Sequence, residues 1–299
     1  MQIEQCRLCP RRCGVRRTAE AGAGACRMGA DAVVARAALH MWEEPCISGT
    51  RGSGAVFFSG CSLRCVFCQN AQISASCFGV RVSAQELSDI FRRLVAQGAH
   101  NINLVTPTHF VPAILEALRL WKPPVPVVYN CGGYESVETL RALEGWVDIW
   151  LPDLKYAFSE SAARYSAAPD YPEAARAALL EMARQTPECV YDGAGLMQKG
   201  MIIRHLILPG CIDNTKAVID WVRSHFDDGQ VLFSLMRQYV PCGTAAQHPE
   251  INRPLTDEEY DEAEQYLFDS GIEDGFVQEK DSASSAFIPS FQGEGVLPQ

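Results

Sequence analysis

The chain has 299 residues, of which 47% are hydrophobic and 21% charged; 36 acidic against 26 basic side chains leave a formal charge of −10. That apolar share supports a sizeable core and excludes disorder or a collagen-like repeat over most of the length, and no run approaches the roughly 18 apolar residues of a membrane helix. Net acidity argues against a nucleic-acid partner, which needs concentrated basic surface, and the run Arg7, Arg11, Arg12, Arg16, Arg17 is too short to alter this.

The opening MQIEQCRLCPRRCG has no apolar core of the kind an export signal needs, so a cytoplasmic location is expected. Residues 1–50 show no regular rhythm and read as a small cysteine-rich extension that a metal would staple. From residue 52 onward, short apolar strands alternate with amphipathic helices. Strands are predicted at 54–58, 101–105, 125–129, 146–151, 201–208 and 231–235, each rich in β-branched or aromatic residues as buried parallel strands are. The clearest helix opens on a capping box, Ser83 with Glu86, and carries Leu87, Ile90, Phe91, Leu94 and Val95 on one face. Further helices are predicted at 111–120, 137–143, 172–185, 215–226 and 256–269, the last with a second capping box at Thr256 and Glu259. Six βα units imply right-handed crossovers and a parallel sheet, and six strands fall short of a closed eight-stranded barrel. The expected fold is therefore α/β, a partial (β/α)6 parallel barrel over 51–245, with a doubly wound open sheet as runner-up. A C-terminal helix and tail follow over 246–299, and Phe287, Ile288, Pro289 and Phe291 are expected to dock on the body.

The 13 cysteines are the compositional anomaly. In reducing surroundings clustered cysteines read as metal or redox ligands rather than disulfides, and an odd number prevents complete pairing. Cys46, Cys77, Cys131, Cys189, Cys211 and Cys242 are scattered and read as small packing residues, with Cys131 and Cys211 set apart by their loops. Cys6, Cys9, Cys13 and Cys26 form one group. Their four thiolates would complete a closed tetrahedral site, for which zinc and an iron–sulfur cluster both qualify; four metal-free thiols are the plainer alternative.

Cys61, Cys65 and Cys68 form the second group, spaced C-x3-C-x2-C directly after the first strand, with Phe67 before the last cysteine. Soft sulfur ligands select iron–sulfur or zinc. A closed structural zinc site needs four ligands and this loop offers three, so zinc would have to borrow a distant fourth. A cubane held by three thiolates leaves one iron open.

At these residues the sequence resembles the radical S-adenosylmethionine (SAM) superfamily. That resemblance implies a 4Fe–4S cluster on Cys61, Cys65 and Cys68, SAM bound to its open iron, and reductive cleavage to a 5′-deoxyadenosyl radical that abstracts hydrogen. It also implies an oxygen-sensitive oxidoreductase served by an electron donor such as flavodoxin or ferredoxin.

A parallel barrel gathers its chemistry at the C-terminal strand ends. The segments there are Thr106-Pro107-Thr108-His109, Asn130-Cys131-Gly132-Gly133-Tyr134-Glu135, Pro152-Asp153-Leu154-Lys155, Pro209-Gly210-Cys211-Ile212-Asp213 and Gln238-Tyr239-Val240-Pro241. Over roughly 52–245 these strings resemble the activating enzymes of glycyl-radical enzymes, pyruvate formate-lyase activase among them, in a branch that shares the N-terminal cysteines. The likeness implies a glycyl-radical enzyme as substrate. It places Lys155, with Asp153, and Asn130 in the SAM pocket, and matches Arg204 with Pro209, Gly210 and Asp213 to the family's segment at strand five. Where that family carries Gly-Gly-Glu after strand two to hold the SAM amino group, this chain has Thr106–His109, whose hydroxyls and carbonyls can accept the same bonds. His205, inside a strand, reads as an ordinary hydrogen-bonded histidine. The Gly49–Gly54 run lacks Gly-Lys-Ser/Thr and is no phosphate loop. Two other readings remain open: radical modification of a small metabolite, and a non-catalytic iron–sulfur sensor or electron carrier.

Overall fold

The computed structural model describes residues 2–20, 22–278 and 291–297. Its strands are β1 (Ala32–His40), β2 (Ser53–Phe58), β3 (Val80–Val82), β4 (Ile102–Val105), β5 (Val127–Cys131), β6 (Ile149–Pro152), β7 (Val190–Tyr191), β8 (Met197–Leu206), β9 (Leu232–Met236) and β10 (Gly275–Val277). The helices are α1 (Pro45–Ser48), α2 (Ala71–Ser74), α3 (Ala84–Ala96), α4 (Val111–Leu120), α5 (Val137–Ala142), α6 (Ser159–Ser166), α7 (Tyr171–Gln185), α8 (Ile212–His225) and α9 (Asp257–Asp269).

One sheet runs β10-β9-β8-β6-β5-β4-β2-β1-β3. The six predicted strands are β2, β4, β5, β6, β8 and β9, neighbours in that order and parallel throughout. The fold is thus the expected partial (β/α)6 barrel. β2, β4, β5, β6 and β9 are buried along their whole length, which is why they read as unbroken apolar runs. Both capping boxes form: Ser83 and Thr256 each accept from the backbone N–H three residues on, and Glu86 and Glu259 reciprocate.

The sheet is larger than the sequence suggested. β10 adds a seventh parallel strand beside β9, and β1 and β3 add an antiparallel edge beyond β2. β1 lies inside residues 1–50, so that segment is not a mere appendage to the barrel's rhythm: nine of its residues are a sheet strand. Four of those nine are alanines, which favour helix and give little strand signal. Of the expected docking residues, Phe291 is buried edge-on against Phe57 at 5.4 Å, and Phe287, Ile288 and Pro289 fall outside the described residues. Among the described residues no helix is long and apolar enough to cross a membrane.

Candidate functional site

The parallel strands deliver their following loops to one end of the barrel, around a cavity of about 260 Å³. Cys61, Cys65, Phe67 and Cys68 line it from the loop after β2, Thr106 and Thr108 from that after β4, and Asn130, Cys131 and Glu135 from that after β5. Asp153 and Lys155 follow β6, and Arg204 comes from β8. One residue expected here is elsewhere. His109 is buried beside Phe110 with its Nε2 2.7 Å from the Ser59 carbonyl, and it does not line the cavity. Burial moves its pKa down to about 3, so it is neutral.

The three-cysteine loop is braced on several sides. The Val66 N–H donates to the Tyr165 carbonyl at 2.9 Å, the Thr244 N–H donates to the Val66 carbonyl at 2.7 Å, and the Cys242 thiol donates to the Phe67 carbonyl at 3.1 Å. Phe67 itself packs edge-on against Tyr239. Burial first, then Cys65 and Cys68, push the Cys61 thiol up, so the three sulfurs sit within electrostatic reach of one another. Burial also pushes Cys65 up, against the pull of the Lys155 ammonium. Three soft donors converging on one cavity with a cation beside them suit a cluster held by three thiolates, and loading would displace their protons.

Beside the cysteines lies an ion-pair network. Lys155 donates to Asp153 at 2.5 Å, and Arg204 donates to Asp153 at 3.0 Å, to the Asn130 side-chain oxygen at 2.6 Å and to Glu43 at 3.2 Å. Burial would lift the Asp153 carboxyl, but Lys155 and Arg204 outweigh it and hold it below the ordinary range. Burial would lower Arg204, but Asp153, Glu44 and Glu43 outweigh it and raise it. Glu43, by contrast, is raised by burial in spite of Arg204 and Asn103.

Glu43 and Tyr171 were not singled out in the sequence. β1 runs antiparallel to β2, so its end reaches the opposite mouth of the barrel, and the segment that follows carries Glu43 up into the interior. There its carboxylate accepts from Asn103 in mid-β4 at 2.9 Å and from Asn130 at 3.2 Å. Tyr171, on α7, accepts from the Lys155 N–H and lies 2.9 Å from the carbonyls of Gly132 and Asp153, tying the loops after β5 and β6 together. Glu135, within the strand-end string after β5 but given no role there, also lines the cavity: Thr108 donates to it at 2.6 Å and Tyr129 at 3.0 Å, and burial pushes its pKa up to about 7.

Three of the four N-terminal cysteines, Cys6, Cys9 and Cys26, are buried, and Cys13 is exposed. Burial pushes Cys9 to about 12, with Cys26 and Cys6 adding to the rise. Burial also pushes Cys26 up against the pull of the Arg17 guanidinium, with the charges of Cys6 and Cys13 adding to the rise. Arg17, fully buried, donates to the Cys6 sulfur and to the Met28 and Gly29 carbonyls. This element sits on the three-cysteine loop: a side chain at Gly60 would meet Met28 and the Cys26 carbonyl, and Gly60 has φ of +78°. Among the described residues no three His, Cys, Asp or Glu side chains are set around a single-ion position.

No family model matches the chain. Over 271 residues it is 30% identical to the uncharacterized protein MJ0674 of Methanocaldococcus jannaschii, covering 87% of this chain and 73% of that one. Methylornithine synthase (PylB) superposes with a TM-score of 0.52 at 14% identity, covering 88% of this chain and 73% of its own. Streptococcus suis SuiB, in its complex with the precursor peptide SuiA, matches with a TM-score of 0.49 at 12% identity; the match takes in 74% of this chain and about half of SuiB, 47%. The chain has a partial parallel barrel like that of methylornithine synthase, and it belongs to the protein family that includes MJ0674.

Proposed function

We propose that the protein is a radical SAM enzyme whose cluster is held by Cys61, Cys65 and Cys68. The observation that carries this reading is the meeting of three thiols, the Lys155–Asp153–Arg204 network and one cavity at the C-terminal strand ends. When bound, a 4Fe–4S cluster and SAM supply one-electron cleavage to a 5′-deoxyadenosyl radical able to abstract hydrogen. The chain's share is binding, orientation and exclusion of water. Lys155 offers a cation to a carboxylate, while Asn130 and the Thr106–Thr108 loop offer neutral donors and acceptors. Phe67 walls off the cysteines from the side of Tyr239. The strand-end strings further support a glycine of a partner glycyl-radical enzyme as the hydrogen source, with a flavodoxin- or ferredoxin-type protein as electron donor. At the N-terminus, Cys6, Cys9, Cys13 and Cys26 offer the thiolates for zinc or a second cluster.

Anaerobic reconstitution followed by dithionite and SAM should release 5′-deoxyadenosine, and Cys65→Ser should abolish both that product and the brown chromophore. A blank on fully loaded wild-type protein overturns the enzyme reading. With a deuterated-glycine peptide from a glycyl-radical loop, label should enter the deoxyadenosine; unlabelled product overturns the activase step alone.

A further inference from the structure

Two polar groups converge on Cys65, the Lys155 ammonium and the Ser166 hydroxyl, while the Cys68 sulfur lies 3.3 Å from the Ser74 hydroxyl. Ser166 is the last residue of α6, fully buried, and its Oγ donates to the Cys65 sulfur at 3.0 Å. The Tyr156 hydroxyl lies 2.7 Å from the same Oγ. Burial, then Cys65, pushes the Tyr156 pKa well above the ordinary tyrosine value, so it keeps its proton. Ser166 has one proton, and it is committed to sulfur. Tyr156 is therefore the donor in their contact, and the chain runs Tyr156 to Ser166 to Cys65, each bond polarising the next.

The aim of this hydroxyl is fixed by the backbone around it. Arg11, from the four-cysteine element, donates to the carbonyls of Ser166 at 3.2 Å, Ala167 at 2.5 Å and Ser62 at 3.0 Å. Ala167 closes α6 in the left-handed region with φ of +50°, and the Tyr165 carbonyl just before it holds the Val66 N–H. Helix end and cysteine loop are thus clamped to each other on both sides of the Ser166–Cys65 bond.

We infer that Ser166, polarised by Tyr156, is a positioning residue that raises the reduction potential of the cluster through its hydrogen bond to the Cys65 sulfur. This rests on the cluster assignment under Proposed function. One electron added to a cluster increases the negative charge on its sulfurs, so a donor aimed at a ligating thiolate stabilises the reduced form more than the oxidised one. Partners of metal ligands act in this way generally. The electron comes from a low-potential donor, dithionite in the test below, and no proton or bond is transferred.

The test is an EPR-monitored redox titration of anaerobically reconstituted wild type, Ser166→Ala, Tyr156→Phe, the double variant and Ser166→Thr, with iron and sulfide counted on each. S166A and Y156F should both shift the midpoint to more negative potential, S166A further. The double variant should shift no more than S166A, because Tyr156 acts only through the serine. S166T keeps the hydroxyl and should stay near wild type. An unchanged midpoint in S166A at wild-type iron and sulfide content overturns the inference, as does a Y156F shift that adds to that of S166A. Should S166A fail to load, Y156F leaves the serine in place and decides alone: no shift overturns. Wild-type protein that takes up no iron and sulfide overturns the cluster assignment and this inference together, whereas a loaded wild type with unshifted variants overturns only this inference.

Discussion

Glu135 is a carboxylic acid shut away from water at the cavity wall, where the hydrogen bonds of Thr108 and Tyr129 only partly replace its hydration. Its pKa rises from 4.5 to about 7. Between those values the unfolded chain has released the proton and the folded chain still holds it. Stability present below pH 4.5 is therefore lost as pH climbs through 7, by about 3 kcal/mol for this one group. Glu135→Gln cannot titrate, so its urea stability relative to wild type should improve by about 3 kcal/mol between pH 4 and pH 8. Arg204 shows the opposite hazard, since its removal leaves the largely buried Asp153 and Glu43 carboxyl groups without their shared guanidinium. Arg204→Gln should cost about 3–5 kcal/mol, and Glu43→Gln in the same chain should recover part of it; a double-mutant cycle in urea measures both. The sequence displayed one half of this pair. Asn130, Asp153 and Lys155 stand at strand ends, where a barrel predicts chemistry, and Arg204, inside β8, was marked by the family resemblance. Glu43 has no such marker, because it reaches the site only through the antiparallel course of β1. His109 carries the marker and lies off the cavity, because the single turn after Thr106, whose φ is +59°, directs it toward Ser59.

Arg11 joins two elements that are far apart in sequence, the four-cysteine segment and the end of α6, through three backbone carbonyls, and its guanidinium also lies over the Tyr134 ring at 5.3 Å. Arg11→Ala should destabilise the protein by about 2 kcal/mol, the scale of a few charge-assisted hydrogen bonds net of hydration. Its local signature should be faster hydrogen exchange at the Val66 amide, which hangs on the Tyr165 carbonyl, while the amides of β5 and β6 stay protected. At this scale sequence patterns were informative where the physics is local. Two capping boxes and an apolar face with helical spacing fixed α3 and α9 within a residue or so. α6 escaped notice because eight residues rich in serine and alanine give a weak periodic signal, although this helix supplies the hydroxyl on Cys65.

The whole molecule is a mixed sheet in which the parallel strands make the cavity and the antiparallel edge ties the N-terminal cysteines to it. The parallel part was legible because strands covered on both faces must be apolar throughout. β1 and β10 were not: one is alanine-rich, and the other is three residues long and half-exposed. That edge also imposes an order in time. β1, β2 and β3 pair within the first 82 residues, and both cysteine groups lie in the same stretch. Asp153, Lys155 and Arg204, which complete the wall around Cys61, Cys65 and Cys68, come later in the chain. At about 5–20 residues per second, the roughly 120 residues from β3 to Arg204 take about 6–24 s to synthesise. During that interval the seven thiols of both groups are already synthesised, while the later strands and ion pairs that enclose them are not. On a growing chain, oxidation therefore has access to these sulfurs before the residues that later cover them have been made.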